Sequence, residues 1–378
     1  MRFSLPPVMA SALLASAAAL SAAEWLDPAG AEPEADGSVL WYDLLSLGLQ
    51  GRGWDASATA TPYDRLPAAA EGKVPPAVWT LSHNSAGMYA DFVTDATTLR
   101  AHWVLRSEKL SMNHMAATGV SGVDLYVRQD DGTWRWAAVG RPEATENTAV
   151  LLNGVPPGER EFRLYLPLYN GVSKVRLGIP SGSRLGRVAP RSGEPDRPVV
   201  IYGTSITQGG CASRPGMAHP AILGRRLGAP VINLGFSGSG RMEAALGELL
   251  AELDPALYVL ECLPNMGAPE IRERVVPFVR TLRQAHPRTP VLLVEDRTYC
   301  GAFLVPSQAE RNRTSREAYR EAYRQLQAEG VEGLYYLEGA DLIGHDGEGA
   351  VDGSHPTDLG FVRMADVMEP PMRLLLNR

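Results

Sequence analysis

The chain has 378 residues, Lys+Arg 36 against Asp+Glu 43, a formal net charge of −7, and 21% charged against 45% hydrophobic residues. It is too apolar for a disordered chain. It is too acidic, and too poor in basic runs, for a nucleic-acid binder. The length predicts two domains, and Gly 38 with Pro 29 predict a part rich in strands and loops.

Residues 1–23 read as a secretory signal peptide. Arg2 opens it, an uncharged run "LPPVMASALLASAAALS" follows, and Ser21 and Ala23 fit the small −3/−1 positions of a cleavage site. An uncleaved anchor is the alternative, but Pro6 and Pro7 in an Ala-rich run make a poor membrane span. No later stretch of about 18 apolar residues occurs. The expectation is therefore a mature protein without a membrane span, secreted or periplasmic.

Residues 24–190 predict a β-sandwich of jelly-roll type. Short apolar runs recur at 99–106, 122–128, 134–139, 162–168 and 172–179, separated by turn signals such as "QDDGT", "NGVPPGE" and "YNG". Trp103, Leu105, Leu125, Tyr126, Trp134 and Trp136 suit its core; stacking of these tryptophans on sugar rings is the functional alternative. No helix of ten or more residues is expected here. A Pro-, Gly-, Ser- and Arg-rich linker, about 180–198, then marks a break in composition.

The second half, 198–378, alternates strands and helices. "VVIYGTS", "PVINLGFSG", "ALYVLECLP", "PVLLVED" and "GLYYLEG" read as strands. "HPAILGRRLG", "EAALGELLAEL", "PEIRERVVPFVRTLRQAH" and "SREAYREAYRQLQAEG" read as helices, and a last helix begins near Thr357. Ala244, Leu246, Leu249, Leu250 and Leu253 form one apolar face, and Tyr319, Tyr323 and Leu326 another. The pattern predicts a mostly parallel sheet in an α/β/α sandwich, with its site outside the carboxyl ends of the strands.

Chemistry-bearing residues collect at those ends. The first strand ends at Ser205, the second runs into the turn around Gly238, the third reaches Asn265, and "VDGSHP" places Asp352 three residues before His355. Acyl transfer needs such a set: a serine, an imidazole to take its proton, a carboxylate to orient the imidazole, and donors for the oxyanion. The Ser205 and Gly238 backbone N–H groups and the Asn265 side-chain amide are candidate donors. As a helix cap, Asn265 would have no such role.

The ordered blocks Gly-x-Ser, Gly, Asn and Asp-x-x-His resemble those of the SGNH (GDSL-type) hydrolase superfamily, over about residues 198–378. The resemblance implies Ser205 as nucleophile, Asp352 and His355 as the rest of a triad, and Ser205, Gly238 and Asn265 as the oxyanion hole. Two blocks depart from the commoner pattern: "GTS" stands for "GDS", and "PNM" for Gly-x-Asn-Asp. "CLPNM", "VEDR" and the β-rich half look like a bacterial two-domain subgroup. In related architectures a jelly-roll module precedes an esterase that removes acyl groups from carbohydrate.

The other candidates carry weaker signals. "GFSGSG" (235–240) is neither G-x-S-x-G nor G-x-G-x-x-G, so Gly235 and Gly238 are read as turn and close-approach glycines. Arg214, His219, Glu295 and Arg297 could touch a polar substrate, and ion-pair or packing roles suit them better. His345 lacks an aspartate three residues before it. Cys211, Cys262 and Cys300 allow one disulfide at most. No CxxC, HExxH or His/Cys pair at metal spacing occurs, so neither a metal site nor a cofactor is expected.

The expected function is a secreted serine esterase acting on acyl, chiefly acetyl, esters, with a small-molecule or glycan ester as partner. The alternatives are a lipase or thioesterase of the same superfamily, disfavoured by the lack of an apolar lid, and a catalytically weak glycan-binding protein.

Overall fold

The computed structural model describes residues 23–189 and 197–377. The signal-peptide reading and the middle of the linker fall outside the described residues.

Two antiparallel sheets build the first half. Seven strands form one, in the order Ala23–Trp25, Leu185–Val188, Tyr89–Thr94, Arg160–Tyr165, Val123–Arg128, Trp134–Gly140, with Leu49–Gln50 also pairing Tyr89–Thr94. Five form the other: Glu32–Pro33, Val39–Asp43, Val172–Pro180, Thr98–Leu105, Glu146–Asn153. Phe92, Leu125, Phe162 and Leu164 of the first sheet share a core with Ala101, Trp103, Val175 and Leu177 of the second. The linker reading needs correction, because Leu185–Val188 is a strand within the seven-stranded sheet.

Period-two alternation turns the neighbouring residues of these strands to the other face. There Asp91 takes a bidentate pair from the buried Arg163, at 2.7 Å for each bond, and Arg163 also lies over the Tyr89 and Trp134 rings. Tyr89, Tyr126 and Tyr165 cluster with Ala221 of the second half. The tryptophan reading holds for Trp103, which is fully buried, and fails for its neighbours: Trp136 is 47% exposed and Trp134 only partly buried. Trp136 instead gives its indole N–H to Asp124 at 3.0 Å.

The second half holds a five-stranded parallel sheet in the order Val231–Gly235, Val199–Gly203, Leu257–Glu261, Val291–Val294, Leu334–Leu337. Alternate residues take opposite sides. Val200, Tyr202, Leu234, Tyr258, Leu260 and Leu293 pack with the helices Ala244–Ala251, Ala268–Ala285 and Pro306–Ala328. Val199, Ile201, Val231, Leu257, Val259 and Leu292 pack with His219–Leu227 and Asp358–Leu376. Val199–Gly203 has the second strand on one side and the third on the other, so the chain reverses direction across the sheet there and leaves a crevice at its carboxyl end.

One helix begins nine residues earlier than its sequence pattern predicts, at Pro306 rather than Ser315. Its first turns are polar all round, and ion pairs from Arg313 to Glu310 and Glu317 support them where no hydrophobic period could. Ala244 is exposed, whereas Leu246, Leu249, Leu250 and Leu253 are buried. Tyr319 and Leu326 are fully buried, with Tyr323 packed against them.

The halves interpenetrate. Leu66, Ala70, Val74 and Val78, from the loop-rich stretch of the first half, join the core of the parallel sheet. Beside them the buried Arg65 donates to four backbone carbonyls, those of Leu81 (2.7 Å), Asn84 (2.9 Å), Asn233 (3.2 Å) and Gly235 (2.6 Å), and stacks over the Phe236 ring. Burial lowers its pKa to about 9, which still leaves it charged at neutral pH. A second joint lies in "GVDLY" (122–126): the buried Asp124 accepts from Arg214 (2.9 Å) and the Gly216 N–H (2.8 Å), and Tyr126 takes a bond from Arg214.

Replacing Arg65 strands four buried carbonyls at once. Arg65→Met should lower stability by at least about 3 kcal/mol, read from urea denaturation. Arg65→Lys should recover little, because an ammonium cannot span the same fork. Near-wild-type stability in either variant would show that the clamp does not hold the halves together.

Candidate active site

The first parallel strand ends at Gly203, and Thr204 caps the short helix Ser205–Gln208, its hydroxyl accepting from the Ile206 N–H at 3.3 Å. This gives the "GTS" departure a physical role, since threonine is an N-cap residue as aspartate is. The helix stops at Gly209, whose φ of +106° suits glycine. Three donors then hold the Ser205 carbonyl: the N–H groups of Gly209 (3.1 Å) and Gly210 (2.7 Å) and the Tyr169 hydroxyl (3.0 Å), the last from the first half.

Ser205 is nearly buried. Its Oγ lies 2.9 Å from His355 Nε2, and His355 Nδ1 lies 2.8 Å from Asp352 Oδ2. Asp352 Oδ1 accepts from the backbone N–H groups of Ser354 (2.9 Å) and His355 (2.7 Å). Burial pushes the Asp352 pKa up, but those amides and the His355 ring outweigh it and hold the carboxyl at about 2. A carboxylate at Nδ1 puts the proton there and leaves the Nε2 lone pair facing the serine.

The loop carrying the pair is closed by a bridge between Ala350 and Pro356 and a Val351 N–H bond to the His355 carbonyl at 2.8 Å. Arg297 braces it from the fourth strand: its guanidinium donates to the Ser354 carbonyl (2.9 Å) and hydroxyl, pairs with Asp296, and lies over the Tyr299 ring.

Gly238 and Asn265 sit on neighbouring loops. Gly238 has a φ of +67°, and a Cβ there would meet nothing within 4 Å. Its N–H and that of Ser205 have no acceptor among the described residues. The Asn265 amide donates to the Ser239 carbonyl from a turn at Leu263–Asn265. The cap reading of Asn265 does not hold. The helix Ala268–Ala285 is capped at Gly267, whose N–H donates to Glu270 at 3.1 Å.

Gln208 couples these loops to the helix Ser205–Gln208. Its Oε1 accepts from the Ser237 N–H (3.0 Å), and its Nε2 donates to Asn84 Oδ1 and the Leu168 carbonyl (3.1 Å each), both in the first half. Asn233 ties the second strand to the same helix through the Thr207 carbonyl at 2.8 Å. Beneath, the buried Glu261 accepts from Thr207 (3.0 Å) and pairs with His219 (2.8 Å), which stacks on Phe361.

The remaining sequence candidates find structural partners. Arg214 docks on the first half, His219 is buried under the nucleophile helix, and Glu295 accepts from Tyr336, Arg320 and the Gly339 N–H. His345 is an exposed residue paired with Asp341. The three cysteines are free. Gln208, Tyr169, Arg65 and His114, whose ring meets the His355 ring edge-on at 5.7 Å, had no local signal in the sequence.

A hydroxyl facing an imidazole that a carboxylate holds can attack a carbonyl carbon, which is the chemistry of a serine hydrolase. The comparisons agree on the class. Residues 196–373 match the GDSL-like lipase/acylhydrolase family, and residues 39–185 match the N-terminus of SGNH-hydrolase-type esterases, a module that "GVDLY" typifies. A GDSL-like lipase from Bacteroides ovatus is 34% identical over 90% of this chain and 98% of its own, with a TM-score of 0.85. The chain belongs to the GDSL-like (SGNH) hydrolase family.

Two further structures share the fold at lower identity. A salicylyl-acyltransferase from a tetracycline biosynthetic pathway is 19% identical over 82% of this chain and 89% of its own, with a TM-score of 0.64. A family two carbohydrate esterase from Clostridium thermocellum, in complex with cellohexaose, is 14% identical over 77% and 93%, with a TM-score of 0.57. Functionally curated proteins give no match.

The two glycines of the turn should respond differently to substitution. Gly238→Ala should fold, at a cost of about 1–2 kcal/mol for the left-handed backbone. Gly240→Ala should cost clearly more, because its Cβ would collide with the Gly203 carbonyl at the end of the nucleophile strand. Equal melting temperatures for the two would refute this account of the turn.

Proposed function

We propose that the protein is a serine esterase that removes short acyl groups, chiefly acetyl, from a carbohydrate alcohol through Ser205, His355 and Asp352. The observation carrying this reading is the unbroken chain of hydrogen bonds from Asp352 through His355 to Ser205.

The Ser205 Oγ attacks the acyl carbon while His355 Nε2 takes its proton. The negative oxygen that forms is held by the N–H groups of Ser205 and Gly238 and the Asn265 amide. Collapse expels the alcohol, to which His355 returns the proton, and leaves an acyl-enzyme. Water, deprotonated by His355, then releases the acid and restores the serine. None of these steps needs a cofactor.

We take residues 1–23 as a signal peptide, 24–190 as a jelly-roll-like domain and 198–378 as an α/β/α hydrolase domain, in a protein that is secreted or periplasmic. Among the described residues no helix is long and apolar enough to cross a membrane. The carbohydrate esterase likeness makes a glycan ester the first substrate to test. A second reading has its own observation: Phe303 and Leu304 are 89% and 74% exposed in the segment after Cys300, whose N–H bonds to Gly353 of the catalytic loop. Such a surface would suit an apolar acyl chain or alcohol. A screen of acetylated oligosaccharides against esters of increasing chain length separates the two, and activity only on long chains would remove the acetyl reading.

Ser205→Ala should abolish hydrolysis in a folded protein. In the wild type the acid limb of kcat/KM should fall with unit slope. Asp352, held at about 2, stays ionised above that pH and adds no second proton to the limb. A slope of two would mean that both groups titrate together.

For Asn265, an oxyanion role predicts that Asn265→Ala lowers kcat by roughly 10²–10³ and leaves KM nearly unchanged. A purely structural role, bracing the Gly238 loop through Ser239, predicts lost stability with kcat retained. Steady-state kinetics and a melting curve on the one variant distinguish them.

A further inference from the structure

Two side chains that neither the mechanism nor the family assignment uses, His114 and Cys211, gather beside His355. One ligand atom each from His114, Cys211 and His355 lie within 4.8 Å of one another. The three come from separate parts of the chain, so no local motif announces them. The donor set, two imidazoles and a thiol, suits zinc and similar divalent ions. Ligand atoms around tetrahedral zinc stand about 3.3–3.7 Å apart, given bonds of roughly 2.0–2.3 Å. The grouping therefore needs to close by about 1 Å at its widest, and His114, which is exposed, can supply that by side-chain rotation.

Both imidazoles are oriented for coordination. His114 sits at the tip of a turn closed by reciprocal bonds between Met112 and Met115, of 3.0 and 3.2 Å. Its Nδ1 lies 2.8 Å from Asn113 Oδ1. An amide oxygen only accepts, so Nδ1 carries the proton and Nε2 keeps the lone pair a metal needs. His355 has the same arrangement, with Asp352 at Nδ1, a carboxylate–imidazole–metal geometry. Cys211 has φ +75°, where glycine would be at ease and where only one other non-glycine among the described residues, Met242, also lies. A cysteine kept there, directly after Gly209 and Gly210, supplies a sulfur that glycine would not.

We propose that His114, Cys211 and His355 form a reversible inhibitory site for zinc or a similar thiophilic divalent cation. Binding releases the thiol proton to solvent and places the metal on His355 Nε2, the nitrogen that Ser205 uses. The metal and the serine compete for one lone pair, so occupancy and hydrolysis exclude each other. The inhibitory half of this proposal rests on the assignment of His355 as the base; the binding half does not.

The test titrates the full chain with Zn²⁺ and, separately, with Co²⁺ as a spectroscopic probe. Micromolar Zn²⁺ should inhibit ester hydrolysis, and a chelator should restore it. Co²⁺ should give a thiolate-to-metal charge-transfer band. His114→Ala and Cys211→Gly, the latter matched to the left-handed backbone, should keep metal-free activity, lose the band, and need at least tenfold more Zn²⁺ for half-inhibition. A wild-type protein without the band, or variants with unchanged Zn²⁺ sensitivity, would overturn the site. A band that appears in a protein with no esterase activity would leave the metal site standing and bring down the esterase reading instead.

Discussion

A buried guanidinium satisfied by backbone carbonyls fixes the relation between the two halves. Arg65 lies in the first half and grips the carbonyls of Asn233 and Gly235 at the end of a strand in the second. Burying a cation in this way is tolerable only when its donors are matched. The match requires the two halves to meet in one register, and a shift of an ångström would leave both the cation and the carbonyls unpaired. Because that strand leads into the Gly238 turn, the geometry of the catalytic edge depends on a residue that carries no chemistry.

The same dependence recurs around the nucleophile. Tyr169 holds the Ser205 carbonyl, and Asn84 with the Leu168 carbonyl holds Gln208. All three belong to the first half. A substrate domain that merely recruited a ligand would touch the rim of the site. This one shapes the turn on which the serine sits, which makes the first half part of the scaffold of the candidate site.

What could be read in the sequence followed from local rules. The parallel half was legible because its strands are short apolar runs and its helices carry stripes, and the block order put Ser205, Asp352 and His355 in place. Sequence reading faltered where the partner is distant. Arg65, Gln208 and Tyr169 act through bonds spanning tens of residues or more, and no spacing encodes them. Trp136 looked like core because it is aromatic and in a strand, yet its alternation puts it on the outer face beside Asp124. The turns from Pro306 to Ser315 hide because ion pairs, not apolar contacts, support them.

The Arg65 clamp also bears on how the chain reaches its native state. The first half is synthesised before its partner. Until the strand Val231–Gly235 arrives, two of the four carbonyls that satisfy the guanidinium are missing, and water must occupy those donors in an early-folded first half. Closing the seam strips that water away, so the contact between the halves is favourable only when the strand is in register to replace it. Contacts this far apart in sequence are slow to form, and the register they set reaches the turn that carries Ser205 through the strand Val231–Gly235.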